Sequence, residues 1–229
     1  MSDKEEGIVK ERLNMYFLLD SSGSMGGAKI QQLNDCMTTL KPVIQAEAKN
    51  EGVDVVIRAL EFGSTSKATW HTGNMDTGKL INDFIWQSLK ATGGTPTASA
   101  IEMVTDAIDG RYLGERALRP VVILVSDGGC TDGKPKYTKA CQDLVTKHGD
   151  NVIRVAIGVD GANIAELEEF ASKDIELNKP MVFKAKDAAD MVKLIRWVSQ
   201  AAIKTASKNP MGQNQQTGNA LPGAGKWIT

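Results

Sequence analysis

The run Pro120-Val121-Val122-Ile123-Leu124-Val125-Ser126 constrains the fold more than any other stretch, because it offers no position for a water-facing side. A strand points successive side chains to opposite faces of its sheet, so a run that is apolar and β-branched throughout needs cover on both. Sheets covered on both faces are mostly parallel and reach their next strand through helical crossovers. The rest of the chain supplies those parts. Met15-Tyr16-Phe17-Leu18-Leu19 is a second buried run, and Ile30, Leu33, Met37, Leu40 and Ile44 mark an amphipathic helix from 28 to about 48, with Pro42 an expected kink. Val53 to Phe62 reads as a strand beside the centre, and Lys67 to Thr72 as a short polar edge strand reached by an antiparallel hairpin through Gly63-Ser64-Thr65-Ser66. Leu80, Ile81, Phe84, Ile85 and Leu89 predict a helix ending near Ala91, and Ala98, Ile101, Val104, Ala107 and Ile108 predict another. Beyond the Val-rich strand, residues 137 to 148 read as a helix, Val152 to Val159 as a strand, Ile164 to Ala171 as a short helix and Met181-Val182-Phe183 as a last strand. Ala188, Met191, Ile195, Val198 and Ala202 close the pattern with an amphipathic helix.

Both central apolar runs stop at an aspartate. The first leads into Asp20-Ser21-Ser22-Gly23-Ser24-Met25-Gly26-Gly27, where Asp20, Ser22 and Ser24 stand at alternate positions of a turning chain. A carboxylate and two hydroxyls can there converge on one point. Oxygen is the only donor they offer, which suits a hard cation such as Mg²⁺, Mn²⁺ or Ca²⁺ better than zinc. A plain Ser/Gly loop opening a helix is the alternative. The second run ends at Asp127-Gly128-Gly129, again a carboxylate at the C-terminal end of a buried strand, where open parallel sheets place their sites. Between them lies Thr92-Gly93-Gly94-Thr95-Pro96-Thr97, whose glycines permit close approach and whose threonines stand just ahead of a helix; either Thr95 or Thr97 could instead serve as its N-cap. His71, with no ligand partner at a suitable spacing, reads as a surface residue.

Composition excludes some partners. The 229 residues are 41% apolar and 24% charged, enough for one domain with a full core, and 27 Lys plus Arg against 28 Asp plus Glu leave no basic excess of the kind that nucleic acid or an anionic membrane attracts. No apolar run approaches the ~20 residues of a membrane span. The opening Met1-Ser2-Asp3-Lys4-Glu5-Glu6 lacks the apolar core of a signal peptide, and three cysteines without close pairing read as free thiols, so the expected location is cytoplasmic. From about Thr205 the composition turns to Lys, Asn, Gln, Gly and Pro. The expected division is therefore a domain over 1–204 and a flexible tail over 205–229. Gly223-Ala224-Gly225-Lys226 is no phosphate loop, since Trp227 follows the lysine where Ser or Thr belongs.

With Asp20-x-Ser22-x-Ser24, Gly94-Thr95 and Asp127-Gly128 in this order on strand ends, the chain resembles a von Willebrand factor A domain carrying a metal-ion-dependent adhesion site, over roughly residues 10 to 204. In style, from Tyr16-Phe17-Leu18-Leu19-Asp20 through Gly93-Gly94-Thr95-Pro96-Thr97 to Val125-Ser126-Asp127-Gly128-Gly129, it is most similar to the TerY-type proteins of tellurium-resistance and stress operons. The resemblance implies a doubly wound α/β fold with a mostly parallel six-stranded sheet, order 3-2-1-4-5-6, and one antiparallel edge strand. It implies a metal set of Asp20, Ser22, Ser24, Thr95 and Asp127: the three hydroxyls bind a divalent cation directly, the carboxylates act chiefly through water or by orienting hydroxyls, and a partner protein's Glu or Asp completes the shell. For the TerY type it further implies a cytoplasmic complex with a protein kinase and a type 2C-like, metal-dependent protein phosphatase in resistance to tellurite, phage or chemical stress. A binding module and not an enzyme is the expected class. A Mg²⁺-dependent phosphohydrolase with Asp20 as nucleophile is the competing reading; Ser22 stands there where a second Asp would act as general acid, and a hydroxyl cannot donate that proton near neutral pH. A dinucleotide site lacks its G-x-G-x-x-G, and a metal-free scaffold is the remaining alternative.

Overall fold

The computed structural model describes residues 10–63, 66–75, 77–114, 116–207 and 223–224. In chain order the elements are β1 (Arg12–Asp20), α1 (Ala28–Glu51), β2 (Asp54–Phe62), β3 (Thr69–Thr72), β4 (Lys79–Leu80), α2 (Thr97–Ala107), α3 (Gly110–Leu113), β5 (Val121–Ser126), α4 (Lys134–His148), β6 (Ile153–Gly158), α5 (Ile164–Phe170), β7 (Lys173–Asp174), β8 (Lys179–Pro180), β9 (Val182–Lys184) and α6 (Ala188–Ser207). The main sheet runs β3-β2-β1-β5-β6-β9, and its four inner junctions, β2–β1, β1–β5, β5–β6 and β6–β9, are all parallel. The expected order thus holds, with β3 the antiparallel edge. One strand was not anticipated: β3 covers β2 only from Ala59 to Glu61, and β4 pairs antiparallel with the uncovered Val56 and Ile57, making seven strands. β7 and β8 form a separate hairpin.

The continuous apolar runs are explained by two cores. Leu13, Met15, Phe17 and Leu19 of β1, with Val121, Ile123 and Val125 of β5, pack among α1 and α6, while Tyr16 and Leu18, with Val122 and Leu124, pack among α2, α4 and α5. Apart from the exposed Arg12 at the start of β1, each residue of these strands is buried whichever way it points. At roughly 1.5–3 kcal/mol for each large apolar side chain removed from water, these central strands hold much of the fold's stability. α1 runs through Pro42, whose position on the helix faces solvent. Water there can satisfy the carbonyl that the missing N–H leaves over.

Residues 81–91 correct the sequence reading. Only Ile81–Asp83 form a single 3₁₀ turn, and the chain then runs extended across α1. The polar groups a helix would pair internally are taken from outside: Asn34 on α1 accepts from Leu89 N–H at 2.8 Å and from the Trp86 indole at 3.1 Å, and donates to Leu89 O at 3.0 Å. Lys41 donates to Asn82 O and Phe84 O. Phe84 and Leu89 still reach the α1 core, so the apolar spacing that mimicked a helix serves an extended strap.

The three cysteines are free, Cys36 and Cys141 buried and Cys130 half-buried. Among the described residues no helix is long and apolar enough to cross a membrane. Most of the expected tail, including Trp227 and Ile228, lies outside the described residues, as do Ser64 and Thr65. Ala224 is described and is buried in the α1–α6 core.

Candidate metal centre

β1 and β5 are neighbours, yet the helix after β1 packs on one face of the sheet and the helix after β5 on the other. Their outgoing connections diverge, and a crevice opens at the C-terminal strand ends where the strand order reverses. Asp20 is the last residue of β1, and Asp127 follows the last residue of β5.

Three loops meet there, and backbone hydrogen bonds fix them to one another. Gly23 N–H donates to Gly93 O at 3.1 Å, Thr92 N–H to Ser21 O at 2.8 Å and Thr131 N–H to Thr95 O at 2.9 Å. Ser21 N–H donates to Phe62 O at 2.9 Å, which ties the first loop to the end of β2. That junction tolerates only glycine at 63, since a Cβ there would lie 2.3 Å from the Ser21 carbonyl carbon.

The five side chains singled out in the sequence come together. Asp20 is fully buried; its Oδ1 accepts from Ser22 N–H at 2.8 Å and its Oδ2 from the Ser126 hydroxyl at 2.5 Å. Burial is the main influence on its carboxyl and raises its pKa above the ordinary 3.8; the bonds from Ser126 and Ser22 offset part of this, and the nearby Asp127 charge adds to it. The Ser22 and Ser24 hydroxyl oxygens are 2.9 Å apart, and Ser24 donates to Asp127 Oδ1 at 2.7 Å. Thr95 is buried, yet its hydroxyl forms no hydrogen bond with a described residue. A Cβ on Gly128 would lie 3.6 Å from Thr95 Oγ1 and 3.8 Å from Ser24 Oγ, so a glycine keeps open the space that these hydroxyls border.

The helix-cap alternative for Thr95 and Thr97 is resolved by a residue from another loop. Ser99 N–H at the start of α2 donates to Asp132 Oδ2 at 2.9 Å, and no side chain at the N-cap position caps the helix. Asp132 does the capping, and the Thr95 hydroxyl is left over.

Four further residues support the cluster. Ser126 orients Asp20, Thr131 Oγ1 accepts from Thr95 N–H at 2.8 Å, Asp132 caps α2, and the Lys29 ammonium lies 2.6 Å from Asp127 Oδ2. Only Lys29 left a readable sign in the sequence: a lysine in the first turn of a helix opposes the macrodipole and calls for a local anion. His71 is more than surface decoration. Its ring lies 3.4 Å from Glu61 Oε2, contacts Gln87 O at 2.6 Å and packs at a tilt against Trp86, pinning the extended strap to β2 and β3.

Among the described residues there is no cluster of three or more His, Cys, Asp or Glu placed to hold a metal. The donor set is instead hydroxyl-rich, with two carboxylates of which one already faces an ammonium. Such a set fits a hard divalent cation held with little negative charge and an incomplete shell.

An open, doubly wound sheet with hydroxyls and two aspartates gathered at its switch point defines a recognisable class of domain. The chain belongs to the von Willebrand factor type A domain family, whose sequence model matches residues 14–197. Among curated relatives it is 27% identical over 169 residues to the collagen alpha-5(VI) chain of Mus musculus, which covers 73% of this chain and 6% of that one. It is 25% identical over 150 residues to the inter-alpha-trypsin inhibitor heavy chain H2 of Mesocricetus auratus, covering 64% of this chain and 15% of that protein. The chain therefore spans only a small part of these relatives. Among solved structures, a von Willebrand factor type A protein from Catenulispora acidiphila superposes with a TM-score of 0.60 at 17% identity, covering 85% of this chain and 43% of that one. Proximal thread matrix protein 1 of the mussel byssus, with a zinc-occupied MIDAS motif, superposes with a TM-score of 0.59 at 21% identity, covering 85% of this chain and 46% of that one. At these identities the superpositions concern the fold.

Proposed function

We propose that this domain is a non-enzymatic protein-binding module that holds one divalent cation with Ser22, Ser24, Thr95, Asp20 and Asp127 and uses it to capture a Glu or Asp of a partner protein. The observation that carries the reading is the Thr95 hydroxyl: it belongs to a residue only 5% exposed at the switch point, forms no hydrogen bond with a described residue and borders the same open space as Ser24. That hydroxyl is not among the described side-chain atoms sealed from solvent without a partner, so an ion can reach it from the crevice. A bound cation would supply the electrophile for the partner's carboxylate. Ser22, Ser24 and Thr95 supply neutral oxygens that leave its charge largely uncancelled, and Asp20 and Asp127 orient those oxygens. Mg²⁺ suits an oxygen-only set best, with Mn²⁺ or Ca²⁺ able to replace it. The zinc of the mussel protein's MIDAS motif supports a divalent cation without naming this chain's own.

The phosphohydrolase alternative is disfavoured by the surroundings of Asp20. Both its oxygens are held by protein donors and none of the residue is exposed, whereas a nucleophile must present a free oxygen to substrate. From the TerY likeness we further propose that the module works in a cytoplasmic complex with a protein kinase and a type 2C-like phosphatase, in tellurite, phage or stress resistance. This finer setting rests on the motif style of the sequence.

The test is a pull-down from the native host with and without EDTA, comparing the wild type with Asp20→Ala, Ser22→Ala. Partner capture is expected only by the wild type and only without chelator. Capture undiminished in EDTA, or turnover of a generic phosphomonoester abolished by Asp20→Asn, overturns the reading.

A further inference from the structure

The five-residue set leaves Lys29 unexplained. It stands in the first turn of α1, where the helix dipole favours acidic side chains and the turn contains none. Its Nζ lies 2.6 Å from Asp127 Oδ2 and 3.0 Å from Asp160 O, so it reaches from α1 over the end of β5 to the loop after β6. The Asp127 carboxylate is thereby shared: Oδ1 accepts from Ser24 in the hydroxyl cluster, and Oδ2 faces the ammonium. The Asp127 side chain is fully buried while that of Lys29 is 26% exposed. Sequestered from water, the pair is screened less than a surface salt bridge.

We infer that Lys29 is a resident counter-charge that sets the balance of this site, weakening its hold on the divalent cation and strengthening its hold on an incoming carboxylate. The inference rests on the metal-dependent capture proposed above. A divalent cation and the Lys29 ammonium draw on the same carboxylate, so the ammonium removes one of the two negative charges available to the ion. It also leaves the loaded site more positive, which is the condition a partner's Glu or Asp responds to. A merely structural ion pair makes a different prediction: its loss would loosen the loops and weaken both kinds of binding together.

The experiment uses the full chain as wild type, Lys29→Gln and Lys29→Arg, with Lys29→Met as a second neutral variant should the glutamine protein fold poorly. Mn²⁺ affinity is measured by calorimetry, and acetate binding to the Mn²⁺-saturated protein by water-proton relaxation. Removing one unit charge from beside a divalent ion is expected to tighten Mn²⁺ binding about tenfold even under strong screening. Acetate affinity for the loaded site should fall severalfold in the same variant, and Lys29→Arg should stay near the wild type in both. The inference is overturned if neutral variants that melt like the wild type in EDTA bind Mn²⁺ no more tightly, or if both affinities move in one direction. Absence of Mn²⁺ binding in the wild type would instead overturn the metal-capture reading, and this inference with it.

Discussion

Replacing Thr95 by valine tests the candidate centre most directly, because the structure separates what this residue does for the fold from what its hydroxyl does. The backbone holds the loops: Thr95 N–H donates to Thr131 Oγ1 at 2.8 Å, and Thr95 O accepts from Thr131 N–H at 2.9 Å and Thr97 N–H at 2.8 Å. None of these bonds needs the side chain. The hydroxyl forms no hydrogen bond with a described residue, so exchanging it for a methyl of similar size should change stability in EDTA by no more than about 0.5 kcal/mol. Binding should suffer much more. An ion that binds only the folded state stabilises it by about 2.7 kcal/mol at a hundred times its dissociation constant. For a domain of this size that is roughly 5–10 °C of melting temperature, at ~2–4 °C per kcal/mol. Loss of a directly contacting oxygen should weaken the ion at least as much as the roughly 10–100-fold typical of outer-shell changes, and so remove most of that shift at a fixed Mn²⁺ concentration. Scanning calorimetry of both proteins, in EDTA and in saturating Mn²⁺, reads the two effects separately. A variant that melts several degrees lower in EDTA would show that the hydroxyl serves the fold. An undiminished Mn²⁺ shift would remove Thr95 from the metal set.

Asp20 carries a pH signature in the ion-free protein. Its folded pKa is raised above the unfolded 3.8, so the folded state holds the extra proton between the two values and stability falls as pH rises through that window. Asp20→Asn removes this dependence; in EDTA it should be at least as stable as the wild type near pH 7, with the advantage gone near pH 3, and urea midpoints across pH would refute the sign if the mutant's deficit grew with pH. Gly63→Ala should unfold the site loop, since its Cβ would lie 2.3 Å from the Ser21 carbonyl carbon, whereas Gly52→Ala, with nothing within 4 Å, should cost only the strain of its positive φ; circular-dichroism melts compare the two. Ile195→Ala on α6, fully buried against the sheet, should cost about 2–5 kcal/mol in a denaturant titration, and a smaller loss would mean that α6 packs less tightly than its burial implies.

What the amino-acid sequence determined by itself was whatever depends on local pattern. The unbroken apolar runs of β1 and β5 have no wet face in any fold, so two-sided cover, parallel pairing and helical crossovers were readable from them. The aspartates that end both runs marked where a site would lie, and Asp20, Ser22 and Ser24 are close enough in the chain for their spacing to carry meaning. Partnerships between distant segments were set by the folded chain alone. Residues 81–91 have a helix's apolar spacing but form no α-helix, because Asn34 and Lys41 on α1 take the polar groups that a helix would satisfy internally. The Thr95 hydroxyl is spare because Asp132, from the loop after β5, caps α2 in its place. Ser126 and Lys29 acquire their roles only when β1 and β5 lie side by side and the start of α1 passes over them, bringing an ammonium to Asp127 from 98 residues away. Hydrophobic pattern is a property of neighbouring residues and survives in one dimension; a hydrogen-bond partner or counter-ion is chosen by proximity in three.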